Sequence, residues 1–272
     1  MSSFEFATVG DNCIDRYLPP IGRATVGGNA VNVAVHLCRL GRRTAYFGAV
    51  GEDKEGRWTR DCLAANEVNI EQLRSVAGRT AFTNLDVDAS GDRIITFEDF
   101  GVCRGYRPNE AEIEALRAAR HIHLGWLSDS SAFKHELAVA GLSISQDLAV
   151  NAGGADLTIA FGSAGASQER ARMLLRQALD QGARIAVVTR GHLGSIASDG
   201  THYVEAGVTP VEVVDTTGAG DTFIAAFIDA HLQGCGLGDC LLAGRDAAAG
   251  TCLHLGGFPQ RPIPLAELSV AD

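Results

Sequence analysis

Lysine is nearly missing from this chain of 272 residues, which holds only Lys54 and Lys134. Neither follows a glycine-rich loop, so a Walker A phosphate loop with its lysine is excluded, and any phosphate cradle must work without one. No apolar run approaches the roughly eighteen unbroken residues that cross a bilayer, and the chain reads as soluble, without a membrane partner. The opening Met1-Ser2-Ser3-Phe4-Glu5 lacks a basic run followed by an apolar core, which argues against a secretory leader and for the cytoplasm. Seven cysteines, at 13, 38, 62, 103, 235, 240 and 252, are odd in number and lack a close pair at metal-ligand spacing. They read as reduced, mostly buried thiols. Excess positive charge is missing too: the formal net charge of −10 argues against nucleic acid as a partner. It leaves room for a nucleotide held by backbone amides.

What is present is alternation. Residues 4–9 form a strand running into the turn composition Gly10-Asp11-Asn12. Ala30, Val33, Ala34, Leu37 and Leu40 then recur at helical spacing, with Gly41 placed as a C-terminal cap. A strand over 44–50 and a helix over about 56–66 continue the order, which suggests a largely parallel sheet. The rhythm breaks at 80–88 and 93–98, two strands joined through Ser90-Gly91-Asp92 as a hairpin. This hairpin, within about 79–104, and the segment of about 13–25 are expected to form a small β lid. A helix to Ala119 follows, then strands at 121–125, 143–147, 157–161 and 185–189 separated by helices. The last third predicts a hairpin around Asp199-Gly200, a strand at 211–214, and apolar helices from Ala219 and from about Leu237. The length suits one large α/β domain, residues 1–272, with this small appendage.

Three segments carry chemistry. In Asp215-Thr216-Thr217-Gly218-Ala219-Gly220-Asp221-Thr222-Phe223, small residues leave amides bare where an apolar helix begins. Such amides hold phosphate, and their partial positive charge suits a phosphoryl transfer. Two roles fit Asp221: a helix cap, or the base that takes a proton from an attacking hydroxyl. In Gly27-Gly28-Asn29-Ala30-Val31-Asn32-Val33-Ala34, two glycines precede a helix with asparagines in its first turns, where they do not help the helix. Hydrogen bonds to a polyol account for them, as does a glycine turn with an Asn cap. Gly10-Asp11-Asn12-Cys13-Ile14-Asp15 adds two carboxylates able to accept from vicinal hydroxyls, and is equally a surface-turn composition. His121 and His123 alternate along a strand and read as structural.

The 215–223 run resembles the C-terminal signature of the ribokinase-like, or PfkB, carbohydrate kinases, and 27–34 resembles their N-terminal signature. Gly48-Ala49-Val50-Gly51-Glu52-Asp53 with Gly56, and Thr189-Arg190-Gly191-His192-Leu193-Gly194, are similar to further family stretches, in the family's order. The resemblance implies a three-layer α/β/α fold with a mostly parallel central sheet and a small β lid. It implies Asp221 as base, Gly218, Ala219 and Gly220 as anion hole, and Asp11, Asp15, Gly28 and Asn32 as sugar contacts. Thr189, Gly191, Gly194 and Thr217 would face the nucleotide, with ATP and Mg²⁺ as donor. Asp215 and Thr217 match positions that hold a monovalent cation such as K⁺ in some relatives. The family's Asn-x-x-Glu pattern is missing, and Glu169 stands in as the Mg²⁺ residue. Within the family, the 10–15 and 27–34 segments most resemble fructoselysine 6-kinases, which implies a fructosamine substrate. Its cationic amine would be favoured near carboxylates, for which Glu98 and Asp99 at the end of the lid hairpin are candidates, though a solvated hairpin end accounts for them more readily. A ribokinase, fructokinase or nucleoside kinase is the alternative, and a non-catalytic sugar or nucleotide sensor the different class. Exposed lid edges would favour a homodimer.

Overall fold

Continuous apolar runs bounded by turn residues give fully buried strands, and this chain alternates them with helices nearly throughout. The computed structural model describes residues 4–87 and 93–268. Along the chain come β1 (Phe6–Val9), β2 (Cys13–Tyr17), β3 (Arg23–Gly27), α1 (Asn29–Arg39), β4 (Thr44–Gly51), α2 (Lys54–Ala65) and β5 (Leu73–Val76). Next are β6 (Phe82–Val87), β7 (Arg93–Asp99), α3 (Glu110–Leu116), β8 (His121–Leu124), α4 (Ser131–Val139), β9 (Ile144–Asp147), β10 (Ile159–Ser163) and α5 (Gln168–Asp180). The remainder is β11 (Ile185–Thr189), β12 (Ser195–Ser198), β13 (Tyr203–Ala206), α6 (Ala219–Leu232), α7 (Leu237–Thr251) and β14 (Ile263–Pro264).

The central sheet has the order β13-β12-β11-β10-β9-β8-β1-β4-β5. Every pairing from β11 to β5 is parallel, and the hairpin β12–β13 closes one edge antiparallel. Side chains alternate across it. Ala186 and Val188 face a core with Leu137, Ala171 and Leu175, whereas Ile185 and Val187 face Val33, Phe227 and Leu241 of α1, α6 and α7. Helices thus cover both faces, in three layers. Helix α6 is buried from Thr222 to Ala230, as befits a helix apolar all round that is packed between α1, α7 and the sheet.

A second sheet, β14-β3-β2-β6-β7, forms the lid. It contains both segments assigned to a lid from the sequence; the Ser90-Gly91-Asp92 turn lies outside the described residues. Gly41, at φ 81°, closes α1 as anticipated. One strand was misplaced: residues 211–214 join no ladder. Val213 and Val214 are exposed, and Val214 N donates to Cys252 O at 2.8 Å, so this β-branched run is a surface lead-in to the glycines beyond it. The two edge strands β5 and β14 are additions to the expected set.

Candidate active site

The carboxyl ends of β1, β8, β9, β10 and β11 share one edge of the sheet. Strand order reverses direction around β1, the position where open α/β sheets place their ligands. Gly10, at φ 138°, leaves β1 so close to Trp126 O that a Cβ would stand 2.8 Å from it. This exit carries Asp11 over the start of α1. Gly28, the residue preceding α1, supplies no capping side chain and sits at φ 107° against Asn12 Cα. Asp11 caps the helix from outside instead: Oδ2 accepts from Asn29 N at 2.8 Å, and Oδ1 from Trp126 N at 2.8 Å and Ala30 N at 3.4 Å. Burial raises the pKa of Asp11, and these amides oppose the rise.

Asn29 and Asn32, one turn apart on α1, both turn their amides toward Asp221. Asn29 Nδ2 donates to Asp221 Oδ1 at 2.7 Å and Asn32 Nδ2 to Oδ2 at 2.6 Å. Gly218, in the left-handed region at φ 72°, starts α6 without a side-chain cap. The first helical bond runs from Thr222 N to Gly218 O, which leaves the preceding amides at the helix mouth, although Ala219 N donates to Thr216 O. Of the three amides expected to form an anion hole, those of Gly218, Ala219 and Gly220, Ala219's is thus engaged within the chain. Asn32 Oδ1 is buried beside Gly257 and accepts from no protein donor.

Asp147 was not singled out from the sequence. It ends β9, and the sole signal was a carboxylate at a strand's carboxyl end. Its Oδ1 accepts from Ala149 N at 2.8 Å and its Oδ2 from Asn29 Nδ2 at 3.2 Å. Burial, with Asp221 and Asp11 nearby, pushes its pKa up to about 7. Because Asn29 Nδ2 serves two carboxylates, Asn29 Oδ1 must accept, and His123 Nε2, 3.0 Å away, must carry the proton. His123 Nδ1 and His121 Nε2 both meet Ser145 Oγ, at 2.9 and 2.8 Å. Burial brings both imidazoles down to about 3, so they stay neutral and hold Asn29 in place.

The lid presents Cys13, Asp15 and Tyr17 on one face of β2. Cys13 lies near enough to Asp11 and Asp15 that, after burial, their charges push its thiol up, and Tyr17 reaches Asp215; this face looks onto the site. Register places Asp15 opposite Thr83, and Thr83 opposite Glu98, so two carboxylates share a row across three strands of that face. Asp99 is displaced from this row: it pairs with Phe82 on the other face and accepts from Gly101 N. Phe100 stacks on Trp126 at 3.8 Å, joining the lid to the end of β8.

In the stretch expected to face the nucleotide, Thr189 ends β11, and Gly194 (φ 85°) packs where a Cβ would clash with Ala206 O. Gly191 opens the short 3-10 turn between them. Thr217 is directed elsewhere, its N and Oγ1 both bonding Asp215 Oδ1. Glu169 is exposed in the first turn of α5, with no hydrogen bond or ion pair to the Asp221 group. Among the described residues no three His, Cys, Asp or Glu side chains converge as a metal site. A Mg²⁺ ion here would take most ligands from phosphates and water, as Mg²⁺ in kinases does.

A glycine-lined helix mouth, a carboxylate beside it and a lid over both define a sugar-kinase class of site, and comparison with solved proteins agrees on the fold. A structure of Arabidopsis thaliana ribokinase complexed with ribose and ATP superposes with a TM-score of 0.79 at 22% identity, covering 93% of this chain and 94% of that one. The fold is ribokinase-like. The family described as pfkB family carbohydrate kinase matches residues 19–140 and 101–263. A fructoselysine 6-kinase of Escherichia coli is 33% identical over 260 residues, 93% of this chain and 98% of that protein. A nucleoside kinase of Methanothermobacter thermautotrophicus is 32% identical over 240 residues, 82% of this chain and 76% of that protein. The chain belongs to the PfkB family of carbohydrate kinases, and its activity is ATP-dependent phosphorylation of a sugar hydroxyl.

Proposed function

We propose that the sugar is a fructosamine such as fructoselysine, phosphorylated on its primary 6-hydroxyl. The observation that carries this is the row Asp15–Thr83–Glu98 on the site-facing side of the lid. Two carboxylates there favour a cationic amine, which neutral ribose or fructose lacks. The similarity to fructoselysine 6-kinase supports the same substrate. The Phe100–Trp126 stack beside Asp11 favours one other reading, a nucleoside, because a base can lie along an aromatic wall.

Asp221 accepts the proton of the attacking hydroxyl, held in position by Asn29 and Asn32. Asp11, Asp15 and Asn32 orient the sugar, and the amides at the mouth of α6 receive the phosphoryl oxygens. Mg²⁺, when bound with ATP, neutralises phosphate charge.

A coupled ADP-release assay with Mg-ATP against fructoselysine, related fructosamines, fructose, ribose and adenosine tests the proposal. Turnover on a fructosamine should fall by about 10²–10⁴ in Asp221→Asn with the sugar KM little changed. Turnover on ribose or adenosine, with none on any fructosamine, overturns the substrate; a kcat within a few-fold of wild type in the variant overturns the base.

A further inference from the structure

Family resemblance attaches a monovalent cation to Asp215, and the structure offers that carboxylate no lone pair to give one. Asp215 Oδ1 accepts from Thr217 N at 3.0 Å and Thr217 Oγ1 at 2.8 Å, and Oδ2 accepts from Tyr17 OH at 2.6 Å and Gly256 N at 2.8 Å. An ionised carboxylate has about four lone-pair sites, and four donors fill them with the positive ends of their bonds. Tyr17 is fully buried and Asp215 is 3% exposed, so solvent does not compete.

The four donors come from three parts of the chain that bound the phosphoryl cradle. Tyr17 belongs to lid strand β2, 198 residues away in sequence. Thr217 precedes the cradle glycines. Gly256 lies in the turn after α7, and its neighbour Gly257 packs so tightly on the cradle that a Cβ on Gly218 would stand 2.4 Å from Gly257 Cα. His36 Nε2, 2.7 Å from Gly257 O, fixes the same turn from α1.

We infer that Asp215 is a hydrogen-bonded strut and that the Tyr17 hydroxyl takes the lone pair of Asp215 that a monovalent cation would need, so this kinase works without one. Tyr17 is a positioning residue: through Asp215 it ties the lid to the turn that sets Gly218. The inference rests on reading residues 218–220 as the phosphoryl cradle, and its test includes a measurement that needs no substrate.

Wild type and Tyr17→Phe are compared in potassium, sodium and tetramethylammonium chlorides at equal ionic strength, by thermal unfolding and by ADP release. Wild type should show the same unfolding midpoint in all three salts and turnover within about two-fold. Tyr17→Phe keeps the ring and frees one lone pair of Asp215. It should lose roughly ten-fold in kcat/KM in tetramethylammonium, and K⁺ should restore both turnover and midpoint. Selective stabilisation or stimulation of wild type by K⁺ overturns the inference, as does a Tyr17→Phe protein that responds to no cation. If no sugar is turned over, the substrate proposal fails while the unfolding midpoints still decide the role of Asp215.

Discussion

Asn29 Nδ2 donates to Asp221 Oδ1 at 2.7 Å, from a side chain whose own oxygen is held by His123. Asp221, the proposed base, is thus fixed by a residue that cannot rotate without breaking bonds on both sides. Asn29→Ala removes one of the two amides that hold the Asp221 carboxylate. The expected result is a fall in kcat of about ten- to a hundred-fold with the KM for ATP little changed, because the loss is of orientation at the reacting hydroxyl. ADP-release kinetics check it; a kcat within two-fold of wild type would show that Asn32 alone positions the base.

Asp147 gives the same site a pH signature. Its folded pKa, about 7, lies above the ordinary carboxylate value of 3.8 because burial and the charges of Asp221 and Asp11 penalise ionisation. A raised folded value means that the native state binds the extra proton between those limits. Stability from this group is therefore fully present below about pH 4 and lost as pH rises through about 7. Asp147→Asn keeps the shape without the ionisation. Relative to wild type it should gain about 1–3 kcal/mol of unfolding free energy between pH 5 and pH 8, measured by urea denaturation at both. A difference that does not grow with pH would mean that Asp147 ionises freely in the native protein.

Most of the parallel sheet was legible in the sequence because its strands are continuous apolar runs bounded by glycine and charged turns. Residues 211–214 have the same β-branched look, but their ladder positions are absent: the sheet edge is already closed by β13, and the segment ties to Cys252 instead. The glycine-rich start of α6, with Asp221 in its first turn, was legible because small residues followed by an apolar run mark a helix start. Asp147, Tyr17 and the tie of His123 to Asn29 were not. Each acts through a partner distant in sequence, Tyr17 with Asp215 and both Asp147 and His123 with Asn29, and local composition carries no trace of such pairings. The Glu98 and Asp99 pair shows the limit most sharply. Adjacent residues on a strand face opposite ways, and only the register with Thr83 reveals that Glu98 is the one turned to the site.

The lid also has an unfinished edge. Strand β7 is last in its sheet, so one row of its backbone donors and acceptors has no neighbouring strand among the described residues. Between its charged ends it carries apolar side chains on both faces: Ile94, Ile95 and Phe97 are 48%, 51% and 53% exposed. An edge strand of this kind is usually blunted by charge or covered, since it otherwise pairs with another chain. We propose that it is covered by the lid of a second copy, in a homodimer that shields the apolar residues while leaving Asp15 and Glu98 to the sugar. Sedimentation at micromolar protein should give a dimer, and Phe97→Glu with Ile95→Glu should shift it to monomer with an unchanged unfolding midpoint for the central sheet. A wild-type monomer at that concentration would remove the dimer and leave β7 as an exposed edge.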